Sequence, residues 1–210
     1  MNNYIENNIV TLQGEIASDF VFSHEVFGEG FYMVNMSVKR LSGQPDIIPL
    51  MVSERLVDVT QSCEGMPIKV SGQFRSYNKH EGTLNRLILS VFVRDWEYVD
   101  EDEFPNDSNQ IFLEGYVCKV PVYRKTPFGR EIADLLVAVN RPYGKSDYIP
   151  CIAWGRNARY APSFQTGVKL RILGRIQSRE YIKNIGENEC EKRIAYEVSV
   201  SKVEVLEDER

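Results

Sequence analysis

From Val168 to Tyr181 the chain reads VKLRILGRIQSREY, with Leu170, Ile172 and Ile176 at even positions and mostly polar or charged residues at odd ones. A period of two sends successive side chains to opposite faces, so the segment predicts a half-buried β-strand rather than a helix. IFLEGYVC at 111–118, ADLLVAVN at 133–140, DYIPCIAW at 147–154 and RIAYEVSVSKVEVL at 193–206 read as further strands. GRNARYAPSFQTG at 155–167 is the one segment here suited to a short helix ending at a glycine.

The pattern occurs twice. NNIVTLQG at 7–14 resembles SNQIFLEG at 108–115, MSVKR ending at Arg40 faces VAVNR ending at Arg141, and DIIP at 46–49 faces DYIP at 147–150, all at an offset of 101 residues. GMPIKVSGQFRS at 65–76 faces GVKLRILGRIQS at 167–178 at an offset of 102, and LILSVFV faces IAYEVSV at 107, the later drift matching the insertion IGENECE. Between the copies, WEYVDEDEFPNDSNQ carries six acidic residues and no basic one, the composition of a solvated linker. Periodicity alone supports a small all-β barrel or sandwich; five strands with a helix between the third and fourth is the order of an OB fold, so the helix position is what favours OB. The expected fold class is therefore all-β: two tandem OB-fold five-stranded barrels, each with a short helix between strands 3 and 4. Residues 1–100 form the first, 101–108 an acidic linker and 109–207 the second.

In the second copy, LEG, TPFG, VAVNRPY, DYIPCIAWG, GVKLRILGRIQSREY and EVSVSKVEVLE follow one another in this order. Together they resemble the bacterial single-stranded DNA-binding proteins; the first copy matches more loosely. The resemblance implies binding of single-stranded DNA with little sequence preference, protecting single strands in replication, recombination or repair. It places Tyr143, Tyr148, Trp154 and Tyr181 at base-stacking positions and implies a homodimer presenting four OB folds. Family chains often end in an acidic, apolar tail that recruits other proteins. Here VEVLEDER directly follows the last predicted strand, so tail-mediated recruitment is not expected.

The residue types suit that role. A binder of unpaired strands needs aromatic plates for the bases and a basic track for the backbone. Tyr148 and Trp154 are six residues apart on a predicted strand and share a face, opposite Ile149, Cys151 and Ala153. Tyr143 lies in the preceding turn, and Tyr181 has the parity of Arg171, Arg175 and Arg179. Arg141, Lys145, Arg156, Arg175 and Arg179 are the expected phosphate contacts. Each has a plainer reading: Trp154 as a core residue or helix anchor, the arginines as the wet side of a sheet.

Charge divides with the copies. The chain's net charge is −5, yet residues 1–108 hold 8 Lys and Arg against 17 Asp and Glu, while residues 109–210 hold 17 against 13. The acidity belongs to the first copy and linker. There Ile47, Ser53 and Ser42 align with Tyr148, Trp154 and Tyr143, so the stacking platform is missing at those positions. Tyr77 and Arg75 remain near the fourth strand, with Phe22, Phe27, Phe31 and Tyr32 in the first hairpin region, most of them readable as core. The expectation is a second copy that binds strongly and a first copy that is mainly a structural and assembly module, extending the strand's path weakly at most.

Other classes find little support. The 210 residues, 43% hydrophobic and 11% aromatic, have the composition of a folded soluble protein. No apolar run reaches the roughly 18 residues of a membrane helix, and the start lacks a signal peptide, so a cytoplasmic location with no membrane partner is expected. Cys63, Cys118, Cys151 and Cys190 form no CxxC pair and read as reduced thiols, with no metal site and no cofactor. His24 and His80 stand alone in predicted hairpin loops and read as surface residues. GKS at 144–146 ends like a P-loop, but Val139 stands where that pattern needs its first glycine. No enzyme is expected. Two alternatives stay open: a protein-interaction or assembly module without nucleic-acid binding, and an RNA-binding OB protein.

Overall fold

A computed structural model describes residues 6–40, 42–81, 84–100, 108–184 and 190–207. The acidic segment 101–107, most of the IGENECE insertion and the last three residues lie outside the described residues, as do the side chains of 79–86, including His80. The first copy contains β1 (Asn8–Ile16), β2 (Val21–Val26), β3 (Glu29–Lys39), β4 (Pro45–Ser53), β5 (Pro67–Glu81) and β6 (Leu84–Tyr98). The second contains β7 (Asn109–Val117), β8 (Val122–Lys125), β9 (Glu131–Asn140), β10 (Ser146–Trp154), α1 (Gly155–Tyr160), β11 (Lys169–Asn184) and β12 (Cys190–Leu206).

The topology is all-β and OB-fold-like. β1 pairs with both β3 and β5, β3 with β4, β4 in parallel with β6, and β6 with β5, so the ladder returns to its first strand. β7, β9, β10, β12 and β11 repeat that circuit. Alternate residues point inward and form the core: Val10, Leu12, Ile48, Leu50 and Phe74 in the first copy, Ile111, Leu113, Ile149, Leu170 and Ile176 in the second, all at most 2% exposed. Closing the circuit brings backbones together. A Cβ on Gly14 would meet the Ser37 carbonyl, and one on Gly115 the Ala138 carbonyl, which accounts for glycine at both copies of that position.

Two expectations need correction. Among the described residues each copy has six strands, because β2 and β8 flank the circuits on β3 and β9. Every residue of both is exposed, so neither shows the alternation that betrays a strand with a buried face. His24 accordingly lies within β2 and His80 within β5, not in loops. The expected helix forms only in the second copy, where α1 continues into a 3-10 turn at Ala161–Ser163. The corresponding stretch of the first copy, 54–66, consists of turns. There the Asp58 carboxylate accepts the Thr60 N–H at 3.0 Å and the Gln61 side-chain amide at 2.8 Å. Such local bonds compete with helix formation, and β-branched Val57, Val59 and Thr60 further disfavour it. Val57 and Cys63 of this stretch still join the core, as Ala158, Ala161 and Phe164 do in the second copy.

The copies meet about a pseudo-two-fold axis. β1 runs antiparallel to β7 with Asn8 opposite Leu113 and Leu12 opposite Asn109. Asn8 caps the Phe74 backbone, its amide donating at 2.8 Å and its carbonyl accepting at 2.9 Å, and Asn109 does the same to Ile176 at 2.7 and 2.8 Å. Buried Asp46 accepts the Ser178 N–H across the joint at 2.7 Å, and buried Asp147 accepts the Ser76 N–H at 2.8 Å. This self-complementary exchange has the logic of a symmetric dimer interface, built within one chain. Among the described residues no helix is long and apolar enough to cross a membrane.

Candidate nucleic-acid interface

On β10 the pleat sends Asp147, Ile149, Cys151 and Ala153 inward, each at most 3% exposed. Tyr148, Pro150, Ile152 and Trp154 take the outer face. Tyr148 is 46% exposed. Trp154 is half-buried, and its indole N–H donates to Ser199 Oγ on β12 at 3.1 Å. That bond fixes the outer side of β12, and the β11–β12 register then places Arg175 opposite Ser199, Gln177 opposite Glu197, Arg179 opposite Ala195 and Tyr181 opposite Arg193. Tyr148, Trp154, Arg175, Arg179 and Tyr181 thus share one sheet face spanning β10, β12 and β11.

Tyr143 projects beyond that face from the β9–β10 turn. It occupies a 3-10 turn between Pro142 and Gly144 with φ of 63° and is 98% exposed. A left-handed backbone at a tyrosine costs roughly 1 kcal/mol. No core contact explains a ring held out there.

The cations divide into two sets. Lys145 and Arg156 are exposed and make no ion pair among the described residues. The other three are engaged with carboxylates. Arg141 pairs with Asp147 at 3.2 Å, Arg175 reaches across the joint to Asp46 at 3.1 Å, and Arg179 lies 3.7 Å from Glu197. Glu197 itself is only 8% exposed and accepts the Gln177 amide at 2.7 Å. A carboxylate therefore sits in the middle of the basic, aromatic face. Sequence reasoning missed it because its neighbours Gln177 and Arg179 lie on the other strand, and the β11–β12 register that brings them beside Glu197 is not written in residue order. Arg124 on β8 was also missed; its two-pronged bond to Asp134 at 2.8 and 3.2 Å pushes its pKa up.

In the first copy the aligned positions are occupied as their side chains suggest. Half-buried Ile47 offers no ring, and the Ser53 hydroxyl donates to the Glu29 carboxylate. The hairpin aromatics, however, are not core. Phe22 is 59% and Phe27 102% exposed, while Phe31 and Tyr32 are half-buried outside the core cluster. Arg75 lies over the Phe92 ring, 4.0 Å from its centroid. Burial, with Arg141 and then Arg94 nearby, pushes its guanidinium down to about 10 against the opposing pull of Asp147. Its Nε is buried with no hydrogen-bond partner among the described residues.

The model of the single-strand binding protein family matches residues 108–206. Single-stranded DNA-binding protein 3 of Listeria innocua is 32% identical over 110 residues, covering 49% of this chain and 66% of that protein. Single-stranded DNA-binding protein B of Bacillus subtilis is 33% identical over 87 residues, covering 38% of this chain and 77% of that protein. The chain spans about half to two thirds of the length of the first three curated relatives it matches. In fold, the crystal structure of the wild-type single-stranded DNA binding protein from Thermus aquaticus superposes with a TM-score of 0.77 at 19% identity, covering 97% of this chain and 94% of that one. With a relative of 33% identity matched over 77% of its length, and the family model lying on the copy that carries the aromatic face, the chain belongs to the single-strand binding protein family.

Proposed function

We propose that the protein binds single-stranded DNA with little sequence preference and without catalysis, through the outer face of the second copy. The observation that carries this reading is the sharing of one face by Tyr148, Trp154 and Tyr181 with Arg175 and Arg179. Rings on such a face accept any base, because every base has a π surface, and each stack contributes about 1 to 3 kcal/mol. Tyr143 adds a plate at the turn, and Arg141, Lys145 and Arg156 extend the basic track. Protection of single strands in replication, recombination or repair follows from such binding.

Each copy, divided at the acidic linker 101–108, acts as one OB barrel in this reading. Residues 1–100 and 109–207 are joined as an internal pseudo-dimer, and a homodimer of the chain in the cytoplasm presents four. The exposed strands β2 and β8 provide edges for such pairing.

The test is fluorescence anisotropy of labelled oligo-dT of about 35 nucleotides, enough for two folds at 4 to 16 nucleotides each. It is run at two salt concentrations, with duplex and RNA competitors. Tight binding whose log K falls by about 0.7 per neutralised phosphate on log salt, and which Tyr148→Ala with Trp154→Ala removes, supports the reading. No binding at low salt overturns it in favour of a protein-assembly role, and preferential displacement by RNA reassigns the ligand.

A further inference from the structure

Four π groups from four different strands stand in line on the outer face of the first copy. His24 of β2 stacks on Phe31 of β3 with centroids 5.2 Å apart and planes 12° from parallel. Phe31 lies 5.8 Å from Phe92 of β6 at 31°, and Arg75 of β5 lies over Phe92. The registers place them near one another on one face: His24 is opposite Phe31, Phe31 is opposite Ser53 of β4, Met51 two residues before Ser53 is opposite Phe92, and Arg75 follows two residues after the partner of Phe92. None belongs to the core cluster. His24 is exposed while Phe31 and Phe92 are half-buried; rings grouped on the wet side of a closed sheet add nothing to core packing, and such a patch marks a binding site more often than a single exposed ring does.

The row is peculiar to this copy. At the sequence offsets, Phe31 and Phe92 correspond to Ile132 and Ser199, and Ser90 stands where the second copy buries Glu197. The first copy thus lacks both the second copy's plates and the carboxylate that sits among them. At its inner end the row reaches the joint. Arg75 lines a groove of about 690 Å³ between the copies, together with Arg94, Arg141 and Pro142 and the carboxylates of Glu6, Asp95 and Asp147, and Pro142 immediately precedes Tyr143. The surface therefore continues from the second copy's turn, through three arginines, onto the aromatic row. Arg75, short of solvent and beside Arg141 and Arg94, which Asp147 offsets only in part, gains from an anion placed in that groove.

We propose that this row is a second stacking track for the same unpaired strand, with Arg75 meeting a phosphate as the strand crosses the joint and His24, Phe31 and Phe92 receiving bases beyond it. The proposal rests on single-strand binding by the second copy and assigns the first copy a direct part in it. Binding is therefore expected to depend on strand length in a way the second copy alone does not produce.

The experiment compares oligo-dT of about 10 nucleotides, within the site of a single fold, and about 35 nucleotides, longer than one fold's site. Wild type, Phe31→Leu with Phe92→Leu, and His24→Ala are measured in parallel. The leucines retain apolar bulk while removing the rings; His24 is exposed, so its removal leaves the fold intact, and thermal unfolding checks both variants. The expected result is an affinity for the longer strand lowered about 10-fold by the double substitution and about 3-fold by His24→Ala, with the shorter strand bound as by wild type. Folded variants that bind both lengths like wild type overturn the proposal and leave the second-copy reading standing. Wild type that binds neither length overturns both.

Discussion

Asp46 accepts the Ser178 backbone N–H at 2.7 Å, while its pseudo-symmetric counterpart Asp147 accepts that of Ser76 at 2.8 Å. The two carboxylates are not equally engaged. Asp46 also pairs with Arg40 and, at 3.1 Å, with Arg175. Asp147 pairs with Arg141 at 3.2 Å and keeps a buried Oδ2 with no hydrogen-bond partner among the described residues.

Asp46→Ala is accordingly expected to destabilise the protein by about 3 kcal/mol, because it strands two partly buried guanidinium groups and a buried N–H. Asp147→Ala should cost about half as much. Urea unfolding of both variants measures the difference, and equal or reversed losses contradict the asymmetry.

Tyr148 and Trp154 share a face but differ in what holds them. Tyr148→Ala should lower the affinity for oligo-dT by about 10-fold with little change in unfolding midpoint, since its ring is half exposed. Trp154→Ala should lower both affinity and stability, the latter by about 2 kcal/mol, because the indole is partly buried and bonded to Ser199. Parallel titration and thermal unfolding separate the two roles.

Glu197 holds Arg179 at 3.7 Å in the middle of the face. Glu197→Gln retains a partner for Gln177 but removes the charge, freeing the guanidinium for phosphate. Affinity at low salt should rise several-fold, and the slope of log K on log salt should steepen by about 0.7. An unchanged slope means that Arg179 does not meet the backbone.

Cys151 is buried at 3% exposure, and burial, reinforced by nearby Glu197, pushes its thiol far up. The folded value exceeds the unfolded one, so its contribution to stability is complete below about pH 8.5 and is lost as pH rises beyond it, by about 1.4 kcal/mol per unit. Cys151→Ala should flatten the alkaline limb of stability against pH. In the native protein this thiol should resist thiol reagents at pH 8 and react once unfolded.

Some features were readable along the chain because they depend on residue order alone. The alternation of Leu170, Ile172 and Ile176 declares a strand wherever that strand lies, and the offset of 101 residues between Asp46 and Asp147 declares a repeat. The parity that puts Tyr148 with Trp154 follows from the pleat. The all-exposed β2 and β8 left no such trace, and the helix expected near Val57 yielded to bonds from Asp58 that only the folded turn reveals. Pairing across the chain was decided by closure of the sheets. It set Arg175 against Asp46, Arg179 beside Glu197, and His24, Phe31, Phe92 and Arg75 in one row. Sequence determines which way each residue faces within its own strand; which strands become neighbours, and so which charges neutralise and which rings align, is settled only when the ladders close and the two copies meet.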